Sequence, residues 1–219
     1  MKSTYYLILF FTTIIFAQDK SFYLSIGKPL VTSAASNSKN FSLGLQYQNR
    51  FSESFGYDVL LEYVQNNTFP SFYDDPQALN QYILSKTRNE ILYNSSWSKI
   101  NILNVGSRIN YLFVNNKKLL FCFHGGLGYL FSRSSAHLLK SLSYDMNTGQ
   151  VFNYDNETIK GNLATLYYSL GMQFQYTFYK NYFIGINPFF LDTIGDKKLN
   201  NIPVHPSYNN LTLNIGKKF

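Results

Sequence analysis

The chain has 219 residues, one cysteine, 19 Lys plus Arg against 12 Asp plus Glu, and 18% aromatic residues. The lone Cys122 rules out an intramolecular disulfide, and with it the small stapled secreted folds. The formal charge of +7 is dispersed apart from the pairs Lys117-Lys118, Lys197-Lys198 and Lys217-Lys218. That pattern makes no nucleic-acid face and suits anionic lipid head groups better.

Met1-Lys2, the apolar run from Tyr5 to Phe16 and the switch to polarity at Ala17-Gln18-Asp19 read as a cleavable export signal cut after Ala17. The run is too short for a spanning helix, which needs about 20 apolar residues. Residues 1–17 are therefore the expected signal and residues 18–219 one domain. No later stretch is long and apolar, so a membrane-bound fold here must be a closed β-barrel, whose strands satisfy every backbone group internally.

Period-two alternation then marks eight strands. Ser21–Pro29 sets Phe22, Leu24 and Ile26 against Tyr23, Ser25 and Gly27. Asn40–Phe51 sets Phe41, Leu43, Leu45 and Tyr47 against Ser42, Gly44, Gln46 and Gln48. Phe55–Gln65 sets Tyr57, Val59, Leu61 and Tyr63 against Gly56, Asp58, Leu60 and Glu62. About Ile100–Phe113, Leu103, Val105, Ile109 and Tyr111 alternate with Asn104, Gly106, Arg108 and Asn110.

Leu119–Phe131 opposes Phe121, Phe123, Leu127 and Tyr129 to Cys122, His124, Gly126 and Gly128. Leu163–Phe178 opposes Leu166, Leu170, Met172 and Phe174 to Ser169, Gly171, Gln173 and Gln175. Tyr182–Leu191 carries Ile184, Ile186 and Phe190 outward with Gly185 and Asn187 inward. Tyr208–Phe219 alternates Leu211, Leu213, Ile215 and Phe219 with Asn210, Thr212, Asn214 and Gly216.

The connections alternate long and short: 30–39, 52–54, 66–99, 114–118, 132–162, 179–181 and 192–207. Long loops at one end and tight turns at the other are the mark of a membrane barrel with both termini on the turn side. The expected fold is all-β, an eight-stranded antiparallel up-and-down transmembrane β-barrel. A ten-stranded barrel is the alternative if Gln81–Tyr93 adds a hairpin. Each polar face carries glycine, as a cramped lumen filled by its own side chains requires, and the abundant Tyr and Phe suit interfacial girdles.

With these residues in view, the chain resembles the small outer-membrane β-barrel proteins of the OmpA/OmpX-like type. The resemblance is most specific in the last strand. Leu211, Leu213, Ile215 and the terminal Phe219 look like the family's C-terminal insertion signal, although Lys217 stands where the family usually has an aromatic or apolar residue. The resemblance implies a Gram-negative outer-membrane location. It implies contact with outer-membrane lipids and lipopolysaccharide, and insertion by the barrel-assembly machinery. It assigns no single job, since members adhere, evade complement, anchor the wall or assist secretion.

Glu62, Arg108 and His124 form an expected lumen charge cluster with a structural role, Arg108 and His124 facing each other if the turn is symmetric about Asn116. His205-Pro206-Ser207 has a His-x-Ser spacing, but no acid follows Asp196 to orient such a base. His137, the other histidines and Cys122 have no metal-ligand spacing, and no cofactor is expected. The long loops mix aromatic and polar residues, and loops on rigid scaffolds carry function. The leading expectation is a non-catalytic structural or surface-recognition role with an unknown extracellular or envelope protein partner. The alternatives are a lipid A-modifying enzyme and an accessory of an envelope secretion apparatus.

Overall fold

A computed structural model describes residues 19–30, 40–67, 75–94, 98–195, 198–199, 202–203 and 207–219. The expected export signal, His205 and residues 68–74 and 95–97 of the long 66–99 connection lie outside the described residues. Eight long antiparallel strands close a ring in the order β1 (Asp19–Leu30), β10 (Tyr208–Lys218), β7 (Tyr182–Ile194), β6 (Val151–Tyr179), β5 (Leu119–Tyr144), β4 (Ser98–Asn115), β3 (Phe55–Asn67) and β2 (Phe41–Arg50). A two-residue ladder, β8 (Lys198–Leu199) with β9 (Ile202–Pro203), stands outside the ring.

Neighbouring strands are consecutive in sequence except at the seam, where β1 pairs with β10 from Ser21 opposite Lys218 to Leu30 opposite Asn209. Closure leaves the barrel wall no open edge. The start of β1 and the end of β10 lie at the same end as the tight turns: the Phe219 N–H donates to the Lys20 carbonyl at 2.7 Å and Lys218 N–H to that of Asn181 at 2.9 Å. At the β6–β7 turn Lys180 and Asn181 take φ of 38° and 70°, the left-handed pair of a two-residue hairpin whose twist matches its strands.

The alternation read from the sequence becomes two opposite surfaces. Leu24, Ile26, Leu45, Val105, Ile109, Leu127, Leu170, Ile186 and Leu213 all point outward and are exposed, while Gln46, Gln48, Asn104, Asn110, Gln173, Asn187 and Asn214 are buried inside. A continuous apolar belt of this kind is far larger than the patches soluble monomers expose, and only lipid covers it without cost. Aromatic pairs border the belt at both ends: Phe41–Tyr63, Tyr129–Phe131 and Tyr168–Phe190 toward the loops, and Phe55–Tyr111, Phe113–Phe121 and Phe121–Phe174 toward the turns. Lys217, between the rings of Tyr182 and Phe219 at 5.5 and 5.4 Å, joins the turn-side girdle. That placement suits a long cation whose stem lies along apolar surface and whose head reaches water.

Two sequence expectations are corrected. The 132–162 segment is not an irregular loop: β5 and β6 run 26 and 29 residues and pair out to Tyr144 opposite Val151, around the tip at 145–150. Nor does Gln81–Tyr93 supply further barrel strands. It lies within α1 (Pro76–Leu84) and α2 (Arg88–Asn94), because Asp75 caps the first helix by accepting from the Gln77 and Ala78 N–H groups and Pro76 presets its first turn. On the second, the Glu90 carboxylate reaches back to accept from both the N–H and the hydroxyl of Thr87, the carboxylate half of a capping box.

Candidate functional site

The lumen is a packed interior. At the loop end Val64, Ile100, Ile102, Leu130, Tyr167, Phe189, Leu191 and Tyr208 make an apolar layer, and at the turn end Leu112, Leu120 and Cys122 make another. Between them runs a chain of side-chain hydrogen bonds. Gln175 donates to Gln48, Gln48 to Gln173, Gln173 to the Tyr23 hydroxyl, and Tyr23 to Gln46 at 2.9 Å. Arg108 Nη1 donates to the same Gln46 oxygen at 3.4 Å and its guanidinium stacks 4.6 Å from the Phe189 ring. Polar groups in a closed interior must be paired in this way.

Arg108 and His124 both face inward, but not each other. Asn116 opens the turn as its first residue, its side chain accepting from the Lys118 and Leu119 N–H groups, and a β-bulge between Leu112 and Val114 then shifts the register by one residue. Arg108 therefore sits opposite Gly126 and His124 opposite Asn110. Asn187 joins them from β7: with its amide nitrogen turned to His124 Nε2 at 2.8 Å and to the Met172 carbonyl at 2.9 Å, its oxygen accepts from Arg108 Nη1 at 3.3 Å.

Glu62 is likewise displaced from the expected level. It pairs with Asn104, four residues along β4 from Arg108, and accepts from Asn104, from the Tyr208 hydroxyl at 2.9 Å and from Asn210 at 2.9 Å. Asp58 takes the position opposite Arg108 and accepts from Asn110 at 2.7 Å. Asp58 was legible as an inward residue of the third strand. Only the register shows that it, not Glu62, shares the level of Arg108.

Ser207 at the loop end donates to Asp192 Oδ1, which also accepts from the Thr193 N–H, while Tyr168 donates to Oδ2 at 3.3 Å. No acid follows Asp196 along the chain, and the fold supplies one from β7 instead. A serine bonded directly to a carboxylate is not the serine–base–acid order of an acyl-transfer nucleophile. Among the described residues no three His, Cys, Asp or Glu side chains cluster as metal ligands.

Beyond Ala136, the last β5 residue paired with β4, the β5–β6 ribbon continues alone, and the two helices fold onto it as a paddle. Leu79 and Ile83 of α1, Ile91 of α2 and Val151 of β6 form a small buried core, with Tyr82, Leu84, Leu142, Tyr144 and Tyr154 packed around it. The Arg88 N–H donates to the Gly149 carbonyl, Val151 N–H to that of Lys86, and Arg88 lies 5.0 Å over the Tyr144 ring. Cores made by elements distant in sequence fix the ribbon and helices relative to each other.

No protein-family model matches the sequence, and no curated protein matches it significantly. Solved structures do. A major outer membrane protein from Thermus thermophilus aligns with a TM-score of 0.50 and 13% identity over 91% of this chain and 99% of its own. Outer membrane protein OprG from Pseudomonas aeruginosa gives 0.47 and 13% over 93% and 96%, and Ail, the attachment invasion locus protein of Yersinia pestis, 0.46 and 12% over 92% and 98%. The likeness is one of fold, and the fold is that of the small eight-stranded outer-membrane β-barrels.

Proposed function

We propose that this chain is an outer-membrane anchor that holds the paddle at the cell surface for recognition, without catalysis. The observation that carries the reading is the continuation of β5 and β6 past the apolar belt into an ordered, helix-braced structure. About thirteen residues of β5 beyond Phe131 amount to roughly 40 Å of strand. Ordering so much chain in water costs conformational entropy that insertion alone does not require. The packed lumen argues against a conducting pore, and the direct Ser207–Asp192 contact argues against a lipid A-modifying active site. The turn end and termini face the periplasm in this reading, and the loop end faces outward beside lipopolysaccharide.

The test replaces residues 140–155 with a tight turn and compares cells carrying either form. The shortened protein should still reach the outer membrane and keep the faster gel mobility of an unboiled barrel, while adherence of the cells to epithelial monolayers or to each other falls. Unchanged adherence overturns the recognition role, and a change in lipid A mass that depends on Ser207 would favour an enzyme.

A further inference from the structure

On the outward face, just past the loop-side aromatic girdle, β4, β5 and β6 place three cations side by side. Lys99 stands opposite Ser135 and Ser135 opposite Lys160, while Arg133, on the same face of β5, lies diagonal to both lysines. All three side chains are exposed. Strand spacing sets the two lysines about 10 Å apart across β5 and each about 7–8 Å from Arg133, so their long side chains can reach one anion together.

No acid shares this sector among the described residues. The outward neighbours of the cations on these strands are Asn101, Phe131, Ser135, Thr158 and Asn162. Asp155 and Glu157 fall on the other face of β6 by alternation, and no ion pair joins any of the three cations to a described residue. The outward acid of the next strand, Asp192, stands opposite Tyr168, roughly 26 Å along β6 from Lys160. Like charges massed on one face repel, and an anion seated among them removes that repulsion.

Depth identifies the anion. The Tyr129–Phe131 pair borders the apolar belt on β5, and on β3 the Tyr63 hydroxyl donates to Asn101 at 3.1 Å. Arg133 and Ser135 follow Phe131 on the same face, about 7 and 13 Å farther along the strand. A wall-facing cation at that level meets lipid head groups, and long basic side chains reach them readily. The amides of Asn101 and Asn162 and the Ser135 hydroxyl lie between the cations. Charged donors suit a phosphate and these neutral groups suit sugar hydroxyls beside it, so a phosphorylated sugar headgroup matches the sector better than a phosphoglyceride does.

Resting on the reading that the loop end faces outward, we propose that Lys99, Arg133 and Lys160 hold a phosphate of the glycolipid headgroup in the outer leaflet. Asn101, Ser135 and Asn162 bond to the sugar hydroxyls next to it.

The test is native mass spectrometry of the refolded barrel in detergent, offered phosphorylated lipid A, the same lipid A stripped of its phosphates, and phosphatidylglycerol. The phosphorylated lipid A should be retained in preference to both others. The triple variant Lys99→Gln/Arg133→Gln/Lys160→Gln should weaken its retention by roughly tenfold or more, whereas Lys117→Gln/Lys118→Gln/Lys180→Gln, which removes equal charge at the turn end, should not. Heat-modifiability of each variant confirms that the barrel is intact. Equal retention of the stripped lipid or of phosphatidylglycerol, no loss in the first variant, or the same loss in the second overturns the proposal. Protease added to intact cells checks orientation apart from binding. A paddle cut only in lysed cells removes the outward reading, whereas an accessible paddle with binding insensitive to the first variant removes the site alone.

Discussion

The Tyr208 hydroxyl donates to Glu62 Oε2 at 2.9 Å, tying β10 to β3 across the lumen. With Asn104 and Asn210 it makes Glu62 the acceptor of three buried donors. Glu62→Leu removes the acceptor of the Tyr208 hydroxyl and one acceptor each from Asn104 and Asn210, which keep Tyr208 and Ser42, and the expected loss is about 1–3 kcal/mol. Urea titration of the refolded barrel in detergent measures it. A loss of under about 0.5 kcal/mol, the range of surface substitutions, would show that the knot is dispensable.

Glycines on the two faces of β5 should respond in opposite ways. Gly106 and Gly128 stand opposite each other on β4 and β5, and the Tyr167 ring lies over both. A methyl at Gly128 would collide with the Val105 carbonyl oxygen and the Gly106 backbone, whereas one at Gly125, facing lipid, would meet only Leu170 Cδ2 at an ordinary 3.5 Å. Gly128→Ala should therefore cost about 1–3 kcal/mol, as overpacking does, and Gly125→Ala close to nothing. Equal behaviour of the two in the same titration contradicts the assigned faces.

The paddle should loosen in acid and not in base. Thr87, through its backbone N–H and then its hydroxyl, holds the Glu90 carboxyl below the usual carboxylate range, and the N–H groups of Thr148 and Asn147 do the same for Asp145. Both groups are more acidic folded than unfolded. Their contribution is thus complete above the ordinary carboxylate pKa of about 4 and is lost as pH falls through the lower folded value. Amide exchange at Thr87, Asn147 and Thr148, corrected for intrinsic rates, should accelerate only below about pH 4. In Glu90→Ala, Thr87 should exchange fast at every pH. Protection that persists at low pH speaks against these caps.

The outward row Leu211, Leu213, Ile215 and Phe219 is exposed along β10. If it is the insertion signal, deleting Phe219 should reduce the outer-membrane band and its unboiled mobility shift. Lys217→Phe, which fills the girdle between Tyr182 and Phe219, should insert at least as well. Normal insertion of the deletion would remove the signal role from this residue.

The inward and outward sets were legible because period-two patterning survives any error in strand ends. Register was not. The level of Arg108 relative to His124 depends on whether Asn116 is the centre of its turn or, with the bulge between Leu112 and Val114, its first residue, and both choices keep the two side chains inside. The paddle was illegible for a different reason. Out of lipid the outward face of β6 need not be apolar, so Val151–Asn162 loses the alternation and reads as a polar loop. The helices of 76–94 were hidden by their length, too short to establish a 3.6-residue period, and only Asp75-Pro76 and Thr87-x-x-Glu90 mark their starts in the sequence.

The seam between β1 and β10 sets the order of events in assembly. Ser21 meets Lys218, so the first strand waits for nearly the whole chain before its second neighbour exists. Contacts between such distant residues make closure a late and slow step. Until it is taken, the sheet has two raw borders, and any chain lacking β10 keeps them permanently. A truncated product is then a sticky open sheet, which places the burden of quality control on the last eleven-residue strand.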